Sequence, residues 1–245
     1  MRARSPQSPS GLVVPGVTLA ILALAHSVRA RGLSRSLLFA GLGLGTGAAG
    51  EYVAVNVARS VRHHGRPQVL GVPVAAVLGW YTITYAAFAT VESLVSRSAA
   101  AWRRWPWSVP IGTAALATSL DLLLDCYGLD HGLWEWPSGG PYARELVGRN
   151  GRHGIPVANF VAWLGITGGI SLAYLLATRE LEAPPRSGEA AGGRQAGRAA
   201  VLLLLPYYLV AAAWARRRGR RRYLLYSGLV PAFVARGLVR RSPLP

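Results

Sequence analysis

The chain alternates long apolar stretches with short polar connections. Apolar runs cover residues 11–28, 32–57, 69–95, 107–126, 154–177 and 199–215, and a further run covers 223–239. These runs are close to the roughly 20 residues that a helix needs to cross a bilayer. The pattern predicts an all-α fold, a polytopic transmembrane helical bundle of six to seven spans.

The polar segments divide this bundle into regions. Residues 1–10 are polar and contain two prolines, which predicts a disordered amino terminus. Residues 11–178 form the predicted membrane core. Residues 179–198 are rich in Glu, Pro, Gly and Arg and predict a flexible linker. Residues 199–245 are expected to form carboxy-terminal membrane helices around an Arg-rich loop.

Composition and charge agree with a membrane location. Hydrophobic residues make up 51% of the chain, and the net charge of +17 comes from 27 basic residues, all of them arginine. The arginines are spread over the connecting loops without a soluble aromatic-rich module, so they favour phospholipid head groups over nucleic acid as partners. The cluster at residues 216–222 places that loop in the cytoplasm by the positive-inside rule. We therefore expect an integral protein of a bacterial inner membrane.

Antiparallel spans bring most of the unusual polar residues to one side of the membrane. The end of the second span, the start of the third, the end of the fourth and the start of the fifth must share that side. Ionisable and aromatic residues are concentrated there: Glu51, Tyr52, Pro73, Asp121, Asp125, Asp130, Trp134, Trp136, Tyr142, Pro156 and Asn159. Pro73 is expected in the first turn of the third span, where its missing N–H costs nothing.

Asp121 and Asp125 are the most costly of these residues because they lie within an apolar run. Their i and i+4 spacing puts both on one helix face, with Cβ atoms roughly 6 Å apart. Two carboxylates this close in a low dielectric cannot both ionise cheaply, so one is expected to remain protonated beside one carboxylate. Such a pair suits acid–base chemistry. Capping of the helix end, or pairing with Arg144, Arg149 or Arg152, would explain the aspartates equally well.

Other polar positions have two interpretations each. Asn159 shares a helix face with Pro156, Phe160 and Trp163 and needs a partner in lipid, either the acidic face of the fourth span or a neighbouring helix. Glu51 is either functional or the partner of a buried arginine.

Trp80 either lines an apolar ligand or packs between helices. His63 and His64 are adjacent and flanked by arginines, which favours a solvated loop. No compact metal-ligand spacing occurs, and the single Cys126 excludes a multi-thiolate site.

An ordered set of short motifs resembles the membrane-embedded carotenoid biosynthesis family, which includes carotenoid 1,2-hydratases and bacterioruberin-pathway hydratases. The motifs are TGAAGEY at Thr46–Tyr52, GVP at Gly71–Pro73 followed by Trp80, D-x-x-x-D at Asp121–Asp125, WEW at Trp134–Trp136 and GIPVANFVAW at Gly154–Trp163. The resemblance covers about residues 40–177. The chain departs from the family pattern at Ala40, Ala49, Ala54 and Cys126, and in a longer loop over 137–153.

The resemblance implies addition of water, without a cofactor or metal, to the terminal double bond of an acyclic carotenoid end group. By analogy Asp121 and Asp125 are the acid and base, and Asn159 positions water or a carboxylate. The implied substrate-binding residues are Glu51, Tyr52, Pro73, Trp80, Trp134, Trp136, Tyr142, Pro156, Phe160 and Trp163. The implied partners are a carotenoid or other long isoprenoid lipid, the bilayer and other enzymes of the pathway.

Two further functions fit the same sequence. A membrane protein that binds a carotenoid or isoprenoid without converting it would need the same apolar and aromatic lining. A transporter is favoured less, because the sequence shows no inverted repeat.

Overall fold

The computed structural model describes residues 13–95, 107–138, 140–142, 154–180 and 189–232. The described helices are α1 (Val13–Arg31), α2 (Leu33–Tyr52), α3 (Val74–Val95), α4 (Ser108–His131), α5 (Val157–Ala177), α6 (Glu189–Arg217) and α7 (Arg221–Tyr226). A π-helical turn, Val53–Val57, extends α2. Short strands occupy Arg62–His63 (β1), Gln68–Val69 (β2), Val72–Pro73 (β3) and Trp134–Glu135 (β4).

The predicted all-α polytopic bundle is confirmed. Within the described ranges, six helical stretches are long and apolar enough to cross a membrane: Val13–Arg31, Leu33–Val57, Val74–Val95, Ser108–His131, Val157–Ala177 and Ala199–Arg217. The predicted seventh run begins within the six-residue helix α7. Its part beyond residue 232 lies outside the described residues.

Helix α3 lies at the centre of the bundle and packs against α1, α2, α4, α5 and α6. Helices α3 and α4 are buried over 67% and 72% of their most apolar stretches, whereas α1 and α2 are buried over 17% and 22%. The outer helices expose large apolar side chains such as Val14, Ile21 and Leu37. Such faces suit lipid, which is as apolar as the side chains themselves.

Glycines allow α2 to approach α3 closely. A Cβ atom added at Gly47 would lie 2.6 Å from Cβ of Trp80, and one added at Gly43 would lie 3.2 Å from Cα of Tyr81. Small residues four apart form this kind of contact in membrane helices. The glycine run of α2 therefore serves helix packing.

We call the end of the bundle at which α2, α4 and α6 finish the polar end. There β1 pairs antiparallel with β4, so that Arg62 lies opposite Glu135 and His63 lies opposite Trp134. Strand β2 pairs with β3, and Pro73 lies in β3 directly before α3. The prediction that Pro73 begins the third span is therefore wrong by one residue, because the strand pairing extends up to it.

Helix α6 begins earlier than the sequence indicated. Residues 189–198, expected in a flexible linker, form the first turns of α6. The predicted disordered terminus, residues 1–10, lies outside the described residues. So do residues 181–188 of the predicted linker.

Candidate active site at the polar end

Two buried carboxylates on α4 form the centre of the site. Asp121 and Asp125 are 4% and 5% exposed, and their side chains share one helix face. Asn159, near the start of α5, donates its amide Nδ2 to Oδ2 of Asp125 at 2.5 Å and lies 3.3 Å from Oδ2 of Asp121. Of the two partners that the sequence allowed for Asn159, the structure thus selects the acidic face of α4.

A third carboxylate lies beside this pair. Glu51 Oε1 accepts a hydrogen bond from the Trp80 indole N–H at 2.9 Å. Its Oε2 lies 2.8 Å from Nε2 of His63, the ring nitrogen that donates to the carboxylate. Glu51 is close enough for its charge to act on both Asp121 and Asp125. Glu51 is thus held by a histidine and a tryptophan rather than by a buried arginine.

Aromatic rings surround the carboxylates. Trp80 stacks on Trp163 with ring centroids 3.8 Å apart and planes 13° from parallel, and Trp163 lies one helical turn after Asn159. Trp80 thus packs between helices, which was one of its two interpretations, and it also contacts Glu51. The lining of an apolar ligand by Trp80 stays a prediction.

Trp134, which follows α4 in the chain, packs back against α4 at Gly128. Gly132 ends α4 in the left-handed conformation, with φ of 65°, and the N–H of Leu133 bonds the Gly128 carbonyl at 2.9 Å. This turn folds the chain back, so that the Trp134 ring occupies the space where a side chain at Gly128 would be. Glycine is the residue that fits both positions.

The remaining predicted residues lie around this centre. Trp136, Tyr142 and Phe160 belong to an apolar cluster that also contains Cys126. The Tyr142 hydroxyl contacts the Trp136 carbonyl at 3.4 Å, and Tyr142 pairs with Pro156, which fastens this loop to the start of α5. Tyr52 is 44% exposed, so this predicted site residue lies at the surface of the bundle.

Sequence reasoning missed His63. The sequence favoured a solvated loop for it, yet its side chain is 7% exposed, whereas Arg62 is 66% and His64 is 45% exposed. Alternation along β1 sends His63 inward and its neighbours outward. A two-residue strand is too short for this alternation to be read from the sequence.

A second polar cluster lies further along α4. Asp130 Oδ2 accepts the Trp214 indole N–H at 3.1 Å, and its two oxygens lie 3.8 Å from Arg218 Nε and 3.5 Å from Arg220 Nη2. The Arg-rich connection after α6 therefore folds against α4 at the polar end. Arg144, Arg149 and Arg152, the possible partners of the aspartates, lie outside the described residues.

Two buried polar atoms near the carboxylates make no hydrogen bond to the described part of the chain. They are Thr118 Oγ1 and His63 Nδ1. Buried groups of this kind ordinarily find a protein or water partner.

A cavity of about 390 Å³ lies beside His63, and its lining is mixed. The polar lining residues are Asn56, Arg59, Arg62, His63 and Gln68, and the others are Val55, Val61, Gly71 and Pro137. Asp121, Asp125 and Asn159 do not line it. Across the described ranges, no group of three or more His, Cys, Asp and Glu side chains is arranged to hold a metal ion.

This arrangement suits proton transfer. An ionised carboxylate is the stronger hydrogen-bond acceptor, and the Asn159 amide lies closer to Asp125 than to Asp121. The geometry therefore favours an ionised Asp125 beside a protonated Asp121. Such a pair can donate one proton and accept another without a net change of charge.

Comparison with known proteins identifies one family. The sequence model of the family described as carotenoid biosynthesis protein matches residues 11–190. No curated protein and no solved structure gives a significant match. The matched range includes every residue of the carboxylate site and ends before the part of α6 that crosses the membrane.

Proposed function

Because the chain belongs to the carotenoid biosynthesis protein family, we propose that it adds water to the terminal double bond of an acyclic carotenoid end group. The product would be a tertiary alcohol. The observation that carries the proposal is the pair of buried carboxylates, Asp121 and Asp125, held by one amide from Asn159.

The first step is protonation of the alkene. Asp121, as the acid, gives its proton to the less substituted carbon of the terminal double bond, and the positive charge develops on the more substituted carbon. A tertiary carbocation is the most stable cation available to this end group. The faces of Trp134, Trp136 and Tyr142 can stabilise it, because an aromatic ring carries negative charge on its faces.

The second step is capture by water. Asp125, as the base, accepts a proton while the water oxygen bonds to the cationic carbon. Asp121 has lost a proton and Asp125 has gained one, so transfer between the two neighbouring carboxylates restores the starting state. The substrate gains one hydrogen and one hydroxyl group, both from water, and the reaction needs no oxidant, reductant or cofactor.

Asn159 and Glu51 act on the carboxylates. The Asn159 amide stabilises the ionised form of Asp125. Glu51, held by Trp80 and His63, supplies a third carboxylate to the site. We also propose that the protein lies in a bacterial inner membrane, near other enzymes of the pathway. The arginines of residues 216–222 favour a cytoplasmic position for that loop.

The test uses cells that accumulate lycopene or another acyclic carotenoid. Expression of the chain should yield pigment heavier by one water, detected by mass spectrometry. Asp121→Asn and Asp125→Asn should each reduce this product by at least about a hundredfold, the scale of a lost acid or base. Glu180→Gln is the matched control, because Glu180 pairs with Arg35 away from the polar end.

Unchanged pigment with several acyclic carotenoids would overturn the hydratase. So would product formation that continues in both aspartate variants while the proteins accumulate normally.

A second candidate is a protein of the pathway that binds a carotenoid without converting it. The cavity beside His63 favours it, because Asp121, Asp125 and Asn159 do not line that cavity and a catalytic pair must reach its substrate. Purification from the same cells separates the two: bound, unmodified carotenoid identifies the binding protein, whereas hydrated carotenoid identifies the enzyme.

A further inference from the structure

The two substrates of the proposed reaction must come from different phases. The carotenoid is dissolved in lipid, whereas water must come from the aqueous side of the bundle. The cavity of about 390 Å³ lies at the polar end, where the end of the second span meets the following loop. Five of its nine lining residues are polar, so its wall can hold water.

A single layer of side chains separates this cavity from the carboxylates. His63 forms part of the cavity wall and lies opposite Trp134 across the β1–β4 pair, with ring centroids 6.1 Å apart. Trp134 in turn covers Gly128 and lies close enough to Asp125 for the two to interact. The path from the cavity to Asp125 therefore passes the His63–Trp134 pair.

One member of this pair has an unused hydrogen-bonding atom. His63 Nδ1 is buried and makes no hydrogen bond to the described residues, whereas the Trp134 indole N–H is directed at Asp125. The other ring nitrogen of His63 is fixed by Glu51 at 2.8 Å. A water beside the His63 ring would find an acceptor there, since a neutral histidine that donates through Nε2 accepts through Nδ1.

We propose that this cavity is the water port of the site and that His63 is the positioning residue that controls it. The hydrogen bond to Glu51 holds the His63 ring beside Trp134, which keeps bulk water out while single waters pass along the free ring nitrogen of His63. This inference rests on the proposed function for its purpose, whereas the path itself is tested without any carotenoid.

Cysteine accessibility measures the path directly. Cys126 is the one cysteine of the chain, so Cys126→Ala combined with Asp125→Cys gives a reference protein whose single thiol replaces the carboxylate. A charged, membrane-impermeant methanethiosulfonate is added to membrane fragments that are open on both sides, and the rate of labelling is followed by mass.

Three changes are made in this reference protein. His63→Ala removes both the ring and its bond to Glu51, and it should speed labelling by at least about tenfold, the factor that corresponds to roughly 1.4 kcal/mol. His63→Gln keeps an N–H donor for Glu51 and should stay close to the reference rate. His64→Ala is the matched control, because His64 is exposed on the other face of the strand.

Three results would overturn the proposal: labelling of His63→Ala at the reference rate, equal acceleration by His64→Ala, or a His63→Gln rate that follows the alanine variant. Val55→Phe provides an independent test, since Val55 lines the cavity and a larger ring there should slow labelling. An unchanged rate in Val55→Phe would also contradict the proposal.

Water addition to a carotenoid gives a second readout in protein that retains Asp125 and Cys126. His63→Ala should lose product and His63→Gln should recover it. Absence of product in the wild-type protein, together with the expected labelling rates, would contradict the hydratase activity and support the water port. Normal product in all variants, together with labelling rates that the His63 changes leave unaffected, would contradict the water port and support the hydratase activity.

Discussion

One amide and two carboxylates determine the chemistry at the residue scale. Asn159 comes from α5 and the aspartates from α4, so the site exists only where these two helices cross. Charges are costly in the interior unless they are paired or hydrogen-bonded, and the Asn159 amide contacts both carboxylates. It therefore contributes to the stability of the bundle as well as to the proposed reaction.

Replacing Asn159 tests this contribution. Asn159→Leu keeps a similar volume but removes the donor, and it should lower the free energy of unfolding by about 1–3 kcal/mol because two buried carboxylates lose their partner. The thermal unfolding midpoint in detergent micelles is the measurement.

Asn56→Leu is the control for this change, because Asn56 donates one exposed hydrogen bond to the Leu70 carbonyl. If the thermal unfolding midpoint falls as far in Asn56→Leu as in Asn159→Leu, the buried amide of Asn159 stabilises the protein no more than an exposed one.

At the element scale, the spacing between α2 and α3 positions Glu51. Trp80 both packs under Gly47 and donates to Glu51, so the close approach of the two helices and the placement of the third carboxylate depend on the same ring. A side chain at Gly47 would push the helices apart and break this connection.

Gly47→Ala and Gly45→Ala form a matched pair in the same helix. An added Cβ meets Trp80 at Gly47 but nothing within 4 Å at Gly45. Gly47→Ala should destabilise the protein by about 1–3 kcal/mol through overpacking. Gly45→Ala should be neutral or slightly stabilising, since alanine favours helix over glycine by about 1 kcal/mol.

Thermal unfolding compares the two glycine variants directly. Equal midpoints would contradict the close contact between α2 and α3.

At the scale of the whole molecule, ion pairs fasten the bundle at both ends. Away from the polar end, Arg31 of α1 bonds Glu92 of α3 and lies over the rings of Phe88 and Tyr174, while Arg35 of α2 pairs with Glu180 at 2.7 Å. At the polar end, Asp130 joins α4 to the connection after α6. Residues 199–232, which follow the family match, are therefore part of the same folded unit.

Asp130→Asn tests how strongly this connection holds. The Asp130 side chain is 4% exposed, and its loss leaves Arg220 and Arg218 without their counter-charge, so we expect a cost of about 1–3 kcal/mol. Limited proteolysis between α6 and α7 should become faster, with digestion followed on gels.

Glu135→Gln is the control for the Asp130 variant. Its partner Arg62 is 66% exposed, and an exposed ion pair contributes only about 0–1 kcal/mol. Equal proteolysis of the two variants would contradict a fastening role for Asp130.

The sequence by itself determined the fold class, the six spans and the membership in a carotenoid biosynthesis family. Apolar run length follows directly from bilayer thickness, and antiparallel crossing fixes which ends share a side, so Asp121, Asp125 and Glu51 could be assigned to one region without coordinates. The i and i+4 spacing of the aspartates was likewise local information.

The tertiary structure decided which groups touch. The bond from Asn159 to Asp125, the stacking of Trp80 on Trp163 and the burial of His63 all depend on how separate helices and strands are placed, and no local pattern encodes that placement. His63 and His64 show the reason most clearly: the two residues are chemically identical neighbours, and only the pairing of β1 with β4 turns one toward Glu51 and the other toward solvent.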